Sequence, residues 1–221
     1  MRELLLDVFN RLLHHFGPRH WWPAETPFEV VVGAILTQQV AWRNVEKAIA
    51  NLKEAGCLSP KGILAVPEEE LWAMIRPTRF YRQKAARLRE FCRMVVEEFE
   101  GDLDALFALD APVLRSRLLA INGIGEETAD SIILYAAQQP VFVIDNYTKR
   151  ITARLGWQDG NVSYAALQRW FTEHLPRETA LYNEYHALID ALGHNICLKE
   201  KPRCTECPLG GLCRHPQTPL G

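Results

Sequence analysis

Apolar residues return every three or four positions along nearly the whole of this chain, as in Leu5, Val8, Phe9, Leu12, Leu13 and Phe16. That period lines one face of an α-helix, whereas a half-buried strand needs strict alternation, and no sustained alternation occurs. The pattern predicts an all-α protein with helices near 2–16, 27–38, 41–55, 60–65, 68–75, 81–99, 103–109, 112–120, 126–138, 146–155, 164–174 and 178–195. Start signals support these boundaries: Ser59 precedes Pro60 as a cap before a first-turn proline, Pro67 opens a run of acids, and Ser163 precedes Tyr164. Two helical lobes are expected, a bundle over 24–139 and a second lobe joining 1–23 to 140–221, with Gln138-Gln139-Pro140 as the candidate hinge.

With 221 residues and 48% hydrophobic content, the chain can bury a substantial core and is expected to fold rather than stay disordered. No run of 18 uninterrupted apolar residues is present, and the N-terminal segment mixes charges into its apolar positions, so a soluble, cytoplasmic monomer is expected. A net charge of −2 gives no global pull on nucleic acid, so any such binding rests on local charge. Seven basic residues, Arg76, Arg79, Arg82, Lys84, Arg87, Arg89 and Arg93, face the single acid Glu90 in one stretch. That stretch reads either as a solvated helix face or as a phosphate-binding one.

Four of the six cysteines, Cys197, Cys204, Cys207 and Cys213, crowd together near the C-terminus, while Cys57 and Cys92 stand alone. Four closely spaced thiolates can wrap one compact metal centre, and spacing alone leaves zinc and a [4Fe–4S] cluster both open. Lys199, Lys201 and Arg203 lie in the long first loop of that segment, as solubilising or phosphate-facing groups.

A second signal is Ile121-Asn122-Gly123-Ile124-Gly125 between two helical patterns, where the glycines permit a tight hairpin and the following helix starts at Glu126. Such a turn is either an ordinary helix connection or a phosphate cradle of bare amides at a helix N-terminus. Asp145 follows Val141-Phe142-Val143-Ile144 just ahead of another helix, where an aspartate ordinarily serves as an N-cap. A third signal is aromatic: Trp21, Trp22 and Pro23 enter the 27–38 helix, and Trp42 follows it. Tryptophans of this kind serve as core or as a stacking slot. The seven histidines, 14, 15, 20, 174, 186, 194 and 215, show no metal-ligand spacing and read as structural.

The segment LLAINGIGEETADSIILYAAQQPVFVIDNYTKRI resembles the helix-hairpin-helix and Gly/Pro-Asp element of the endonuclease III superfamily of DNA glycosylases. CLKEKPRCTECPLGGLC is similar to the cluster loop of endonuclease III and its adenine-mismatch relatives, and WWPAETPFEVVVGAILTQQVAW is similar to the 3-methyladenine DNA glycosylase branch. The resemblance runs from about residue 20 to the last cysteine and implies a [4Fe–4S] cluster on Cys197, Cys204, Cys207 and Cys213. It implies Asp145 as the catalytic carboxylate, Gly123 and Gly125 on a DNA phosphate, and Gln38 and Phe80 in the gap left by a flipped nucleotide, with Arg82 on DNA beside them. Trp21, Trp22, Pro23 and Trp42 become the base pocket, and such a π-rich slot attracts a cationic alkylated purine by stacking and cation–π contact.

One departure from the family pattern bears on chemistry. Bifunctional members carry a lysine nucleophile two residues past the second glycine, where this chain has Glu127. A carboxylate cannot form the Schiff base that strand cleavage requires, so a monofunctional enzyme is expected; Lys149, four residues after Asp145, reads as a phosphate-contacting or solvent-exposed lysine sooner than as a substitute nucleophile. Glu127 and Glu25 could instead favour a positively charged base. The rival readings are a uracil or thymine-mismatch glycosylase, a bifunctional endonuclease III-like enzyme, and a non-catalytic DNA-damage binder. The enzyme is expected to act on double-stranded DNA in the nucleoid.

Overall fold

The computed structural model describes residues 1–215; Pro216–Gly221 lie outside the description. Among the described residues the regular structure is helical, with no strand, and no helix is long and apolar enough to cross a membrane. The chain forms two compact units, one of Trp22–Gln139 and one joining Met1–Trp21 to Pro140–Gly221.

The Trp22–Gln139 unit is built around α2 (Pro27–Leu36), nine of whose ten residues are buried. A helix that is apolar on all sides belongs inside a bundle. The side chain of Thr26 caps it by accepting from Glu29 N, and Pro27 occupies the first turn, where its missing N–H costs nothing. Around it pack α3 (Trp42–Glu54), α6 (Tyr81–Phe99) and α9 (Glu126–Ser131), while α4 (Pro60–Ala65) and α5 (Glu68–Ile75) cover α6. Helices α7 (Leu103–Phe107) and α8 (Ala111–Ala120) lead into the glycine hairpin. The predicted 126–138 helix changes character partway: Ile132–Ala136 forms a π-turn, with Ala137 N donating to Ile132 O at 3.0 Å. Such turns widen a helix and re-aim its side chains, and periodicity does not register them.

The second unit contains α1 (Arg2–Phe16), α10 (Asn146–Leu155), α11 (Tyr164–His174) and α12 (Thr179–Asn195). Its core is aromatic: Phe142 stacks on Phe171 at 4.2 Å, and Tyr182 and Tyr185 meet Phe142 edge-on. Tyr185 donates its hydroxyl to Leu5 O at 2.8 Å, which ties α12 to α1, and burial drives its phenol far above the usual range.

Candidate active site and cysteine loop

The hairpin closes with Ile124 N donating to Ile121 O at 3.0 Å, and Gly125 caps α9. Gly123 has φ 86°, which L side chains rarely adopt, and a Cβ there would also displace the Arg87 guanidinium, 2.0 Å away at Nε. Gly125 has ordinary extended backbone, but nothing lies within 4 Å of where its Cβ would be, so this glycine faces open space. Arg115 binds the two helices of the motif together, with Nε on Asp130 Oδ1 at 2.7 Å and Nη2 on Glu126 Oε1 at 3.2 Å. Asp130 beside it holds the guanidinium's proton well beyond its already high range. Gln38 lies against this hairpin, its Nε2 donating to Gly123 O (3.2 Å) and Thr128 Oγ1 (3.0 Å) and its Oε1 accepting from Arg87.

In the same unit the Trp22 indole lies across α2 at Gly33, where a Cβ would come within 3.0 Å of its Nε1. Trp42 meets Trp22 edge-on at 5.4 Å, and Tyr135, carried by the π-turn, approaches it at the same centroid distance. Pro23 is exposed, Glu127 is exposed in the first turn of α9, and Trp21 is half-buried in the other unit. Tyr135 is the aromatic that the sequence pattern did not single out.

Phe80 stands 55% exposed at the start of α6 in left-handed helical backbone (φ 43°), and Arg79 before it also has positive φ (54°). Two consecutive non-glycine residues at positive φ cost about 1–2 kcal/mol each, a strain that recurs at functional sites. Arg82 stacks its guanidinium 4.7 Å over Trp72. The basic run does not form one face. Lys84 is buried and donates to Leu36 O (2.8 Å) and Thr78 O (2.6 Å), and Arg89 donates to the carbonyls of Ile63, Leu64 and Val66. These two cations satisfy helix-end carbonyls, whereas Arg76, Arg79, Arg82 and Arg93 remain exposed.

In the second unit, Asp145 is the N-cap of α10, and only 9% of it is exposed. Its Oδ1 accepts from Thr148 N at 2.6 Å and from Thr148 Oγ1 at 2.7 Å, so the ordinary capping role uses one carboxylate oxygen. Oδ2 faces His186 Nε2 of α12 at 3.7 Å. Asp190, one turn along α12, has its carboxyl pushed up by loss of hydration and by the charge of Asp145. Tyr147 is raised by burial and by both aspartates. Lys149 is half-buried on α10.

Cys197, Cys204, Cys207 and Cys213 line one small cavity together with Arg154, Ile196, Pro202 and Gly210. Among the described residues no group of three or more His, Cys, Asp or Glu forms a site for a single metal ion. Two arginines of α10 hold the loop. Arg150 donates to Cys197 O and Gly193 O, both at 2.9 Å, and Arg154 Nη1 donates to Cys197 Sγ at 3.1 Å and Leu198 O at 2.8 Å. Burial pushes the Cys207 thiol up, and the other three cysteines add to the effect. An N–H donor aimed at sulfur and four thiols on one cavity wall suit thiolate ligation. Lys199, Lys201 and Arg203 are exposed on the loop.

A helical bundle ending in a glycine hairpin, followed by a buried aspartate that caps the next helix, defines a helix-hairpin-helix protein. The sequence profile of the HhH-GPD superfamily base excision DNA repair proteins matches residues 32–177, and the chain belongs to that family and is a DNA glycosylase. A Methanocaldococcus jannaschii chain, provisionally named a DNA repair glycosylase, is 44% identical over 213 residues and 96% of each chain. A trapped endonuclease III–DNA covalent intermediate superposes with TM-score 0.82 at 25% identity over 97% of this chain and 96% of that one. The H. pylori 3-methyladenine DNA glycosylase bound to 1,N6-ethenoadenine superposes with TM-score 0.74 at 28% identity, over 86% and 95% respectively.

Proposed function

We propose that this glycosylase is monofunctional and removes an alkylated purine such as 3-methyladenine from double-stranded DNA, leaving an abasic site. The observation that carries the reading is the aromatic cluster of Trp22, Trp42 and Tyr135, in which Gly33 leaves room for the indole. Together with Trp21 and Pro23, these rings would hold the extruded base. N3- or N7-methylation makes the purine cationic, and electron-rich rings bind such a ring by stacking and cation–π attraction. The likeness to a 3-methyladenine DNA glycosylase supports the assignment.

Asp145 would supply the catalytic charge through Oδ2, the oxygen not used for capping. Cleavage of the C1′–N bond sends its electron pair into the already positive purine, which leaves as a neutral base, while positive charge builds on the sugar. A nearly buried carboxylate stabilises that charge. Water then bonds to C1′ and gives its proton to the carboxylate, which passes it to solvent. Gly123 and Gly125 with the start of α9 would hold a backbone phosphate, and the open space at Gly125 fits such close approach. Phe80, exposed and flanked by Arg79 and Arg82, would fill the gap in the duplex along with Gln38. Glu127 gives no amine for a Schiff base, so no strand cleavage is assigned.

A [4Fe–4S] cluster on Cys197, Cys204, Cys207 and Cys213 fits the shared cavity and the Arg154 donor. When bound it would close the loop that carries Lys199, Lys201 and Arg203 on itself, since all four ligands lie within 197–213.

The test is base release from duplexes containing 3-methyladenine, 7-methylguanine, uracil or thymine glycol, for wild type and Asp145→Asn, resolved with and without alkali. The expected result is methylpurine release that Asp145→Asn abolishes, with strand breaks only after alkali. Direct nicking, or activity confined to the pyrimidine lesions, overturns the reading in favour of an endonuclease III-like or mismatch enzyme. Tight binding of damaged DNA with no release at all would make the chain a damage binder.

A further inference from the structure

We propose that His186 is a positioning residue for Asp145: it holds Oδ2, the carboxylate oxygen left over from helix capping, in a set orientation, and when protonated it offsets that oxygen's charge. The inference rests on the reading of Asp145 as the catalytic carboxylate.

The placement begins with α10 and α12. Tyr147 packs on α12 so closely at Gly193 that a Cβ there would lie 2.5 Å from the ring carbons and 2.6 Å from Tyr147 Cβ. Arg150 adds a bond to Gly193 O at 2.9 Å. His186 lies seven residues before Gly193, two helical turns, and so shares its face of α12. Asp145 lies just ahead of Tyr147. The close contact at glycine therefore brings His186 onto the capping aspartate, and Nε2 stands 3.7 Å from Oδ2 with both residues 9% exposed.

Thr148 fixes Oδ1 with two short hydrogen bonds, leaving one degree of freedom in the carboxylate, its rotation about those bonds. His186 Nε2, 3.7 Å from Oδ2, lies in contact range and limits that rotation. His186 is the imidazole that faces Oδ2 directly. The charged and titratable groups that share this environment are Asp145 at the α10 cap with Tyr147 and Arg150 on α10, and Asp190, which feels the charges of Asp145, His186, His194 and Arg19. Imidazolium at this distance attracts Oδ2 and cancels part of the negative charge that must face the sugar cation. Neutral imidazole keeps the orientation without that cancellation. Base release should therefore be slower with His186 protonated than with it neutral.

Two measurements test this. NMR titration of the His186 ring in the intact protein should show its pKa falling in Asp145→Asn, because the attracting charge is gone; an unchanged value overturns the proposal. Single-turnover base release is then followed from pH 5 to 9 on whichever of the four damaged duplexes is processed. His186→Ala should slow release by up to about tenfold at high pH, where the orientation of Oδ2 is lost, and by less at low pH, where the opposing imidazolium charge is lost as well, with DNA affinity unchanged. His186→Gln should restore most of the rate at high pH but abolish the acid inflection. A wild-type rate in His186→Ala, or an inflection that persists in His186→Gln, overturns the positioning role. Activity surviving in Asp145→Asn instead overturns the assignment of Asp145, which separates the two failures.

Discussion

Gly193→Ala tests whether α10 and α12 meet by direct contact of backbone and ring. Alanine is ordinarily the better helix former by about 1 kcal/mol, so an exposed helical glycine gains stability from this change. Here the new methyl would sit 2.5 Å from Tyr147 Cγ and Cδ1 and 2.6 Å from its Cβ. Rotating the ring relieves the Cδ1 overlap alone, because Cγ lies on the rotation axis and Cβ is fixed to the α10 backbone. The helices must separate, at an overpacking cost of about 1–3 kcal/mol, to which the lost Arg150–Gly193 bond adds about 1 kcal/mol. After subtracting the propensity gain, a net loss of about 1–3 kcal/mol remains, or roughly 2–10 °C in Tm for a chain of this length. Gly160→Ala is the control, since its Cβ would meet only Ala153 Cβ at an ordinary 3.8 Å. Thermal melts of both variants, read beside base release, check the argument. Gly193→Ala should melt lower and lose activity as Asp145 shifts with α10, while Gly160→Ala should leave both nearly unchanged. A Gly193→Ala protein that melts at or above the wild-type temperature refutes the reasoning.

Asp130→Asn should destabilise by about 2–4 kcal/mol in urea, because it removes the buried charge that faces the half-buried Arg115 guanidinium and leaves the more exposed Glu126 as its anionic partner. Recovery of most of that loss in the double variant Arg115→Met/Asp130→Leu would show that the pair serves orientation more than stability. Lys84 supplies a pH signature: burial, aided by Arg87, lowers its ammonium to about 8 from an ordinary 10.5. Between those values the unfolded chain binds more protons than the folded one, so this residue's contribution to stability rises with pH across that window and is flat below it. Urea midpoints should show the wild type gaining on Lys84→Met between pH 8 and 10.5, by up to about 3 kcal/mol; a gap constant with pH would mean that the two carbonyl bonds keep the ammonium fully charged.

Much of the fold is written locally. Helical period, serine and threonine caps and first-turn prolines depend on neighbours within a few residues, and Ser59, Ser163 and Thr26 each cap the helix that follows them. The glycine hairpin, the four-cysteine spacing and Glu127 in place of an amine are equally visible in the chain alone. Periodicity cannot see which helix a given face meets. Only packing brings His186 to Asp145, Tyr135 to Trp22 and Arg154 to the Cys197 sulfur. The same packing turns Lys84 and Arg89 inward from a run that reads as a charged surface, because their ammonium and guanidinium groups answer carbonyls exposed at the ends of other elements. Side-chain identity and spacing thus determined the helices and the candidate chemistry. The tertiary structure decided which groups share one electrostatic environment, since that depends on how closely two helices approach and in what register.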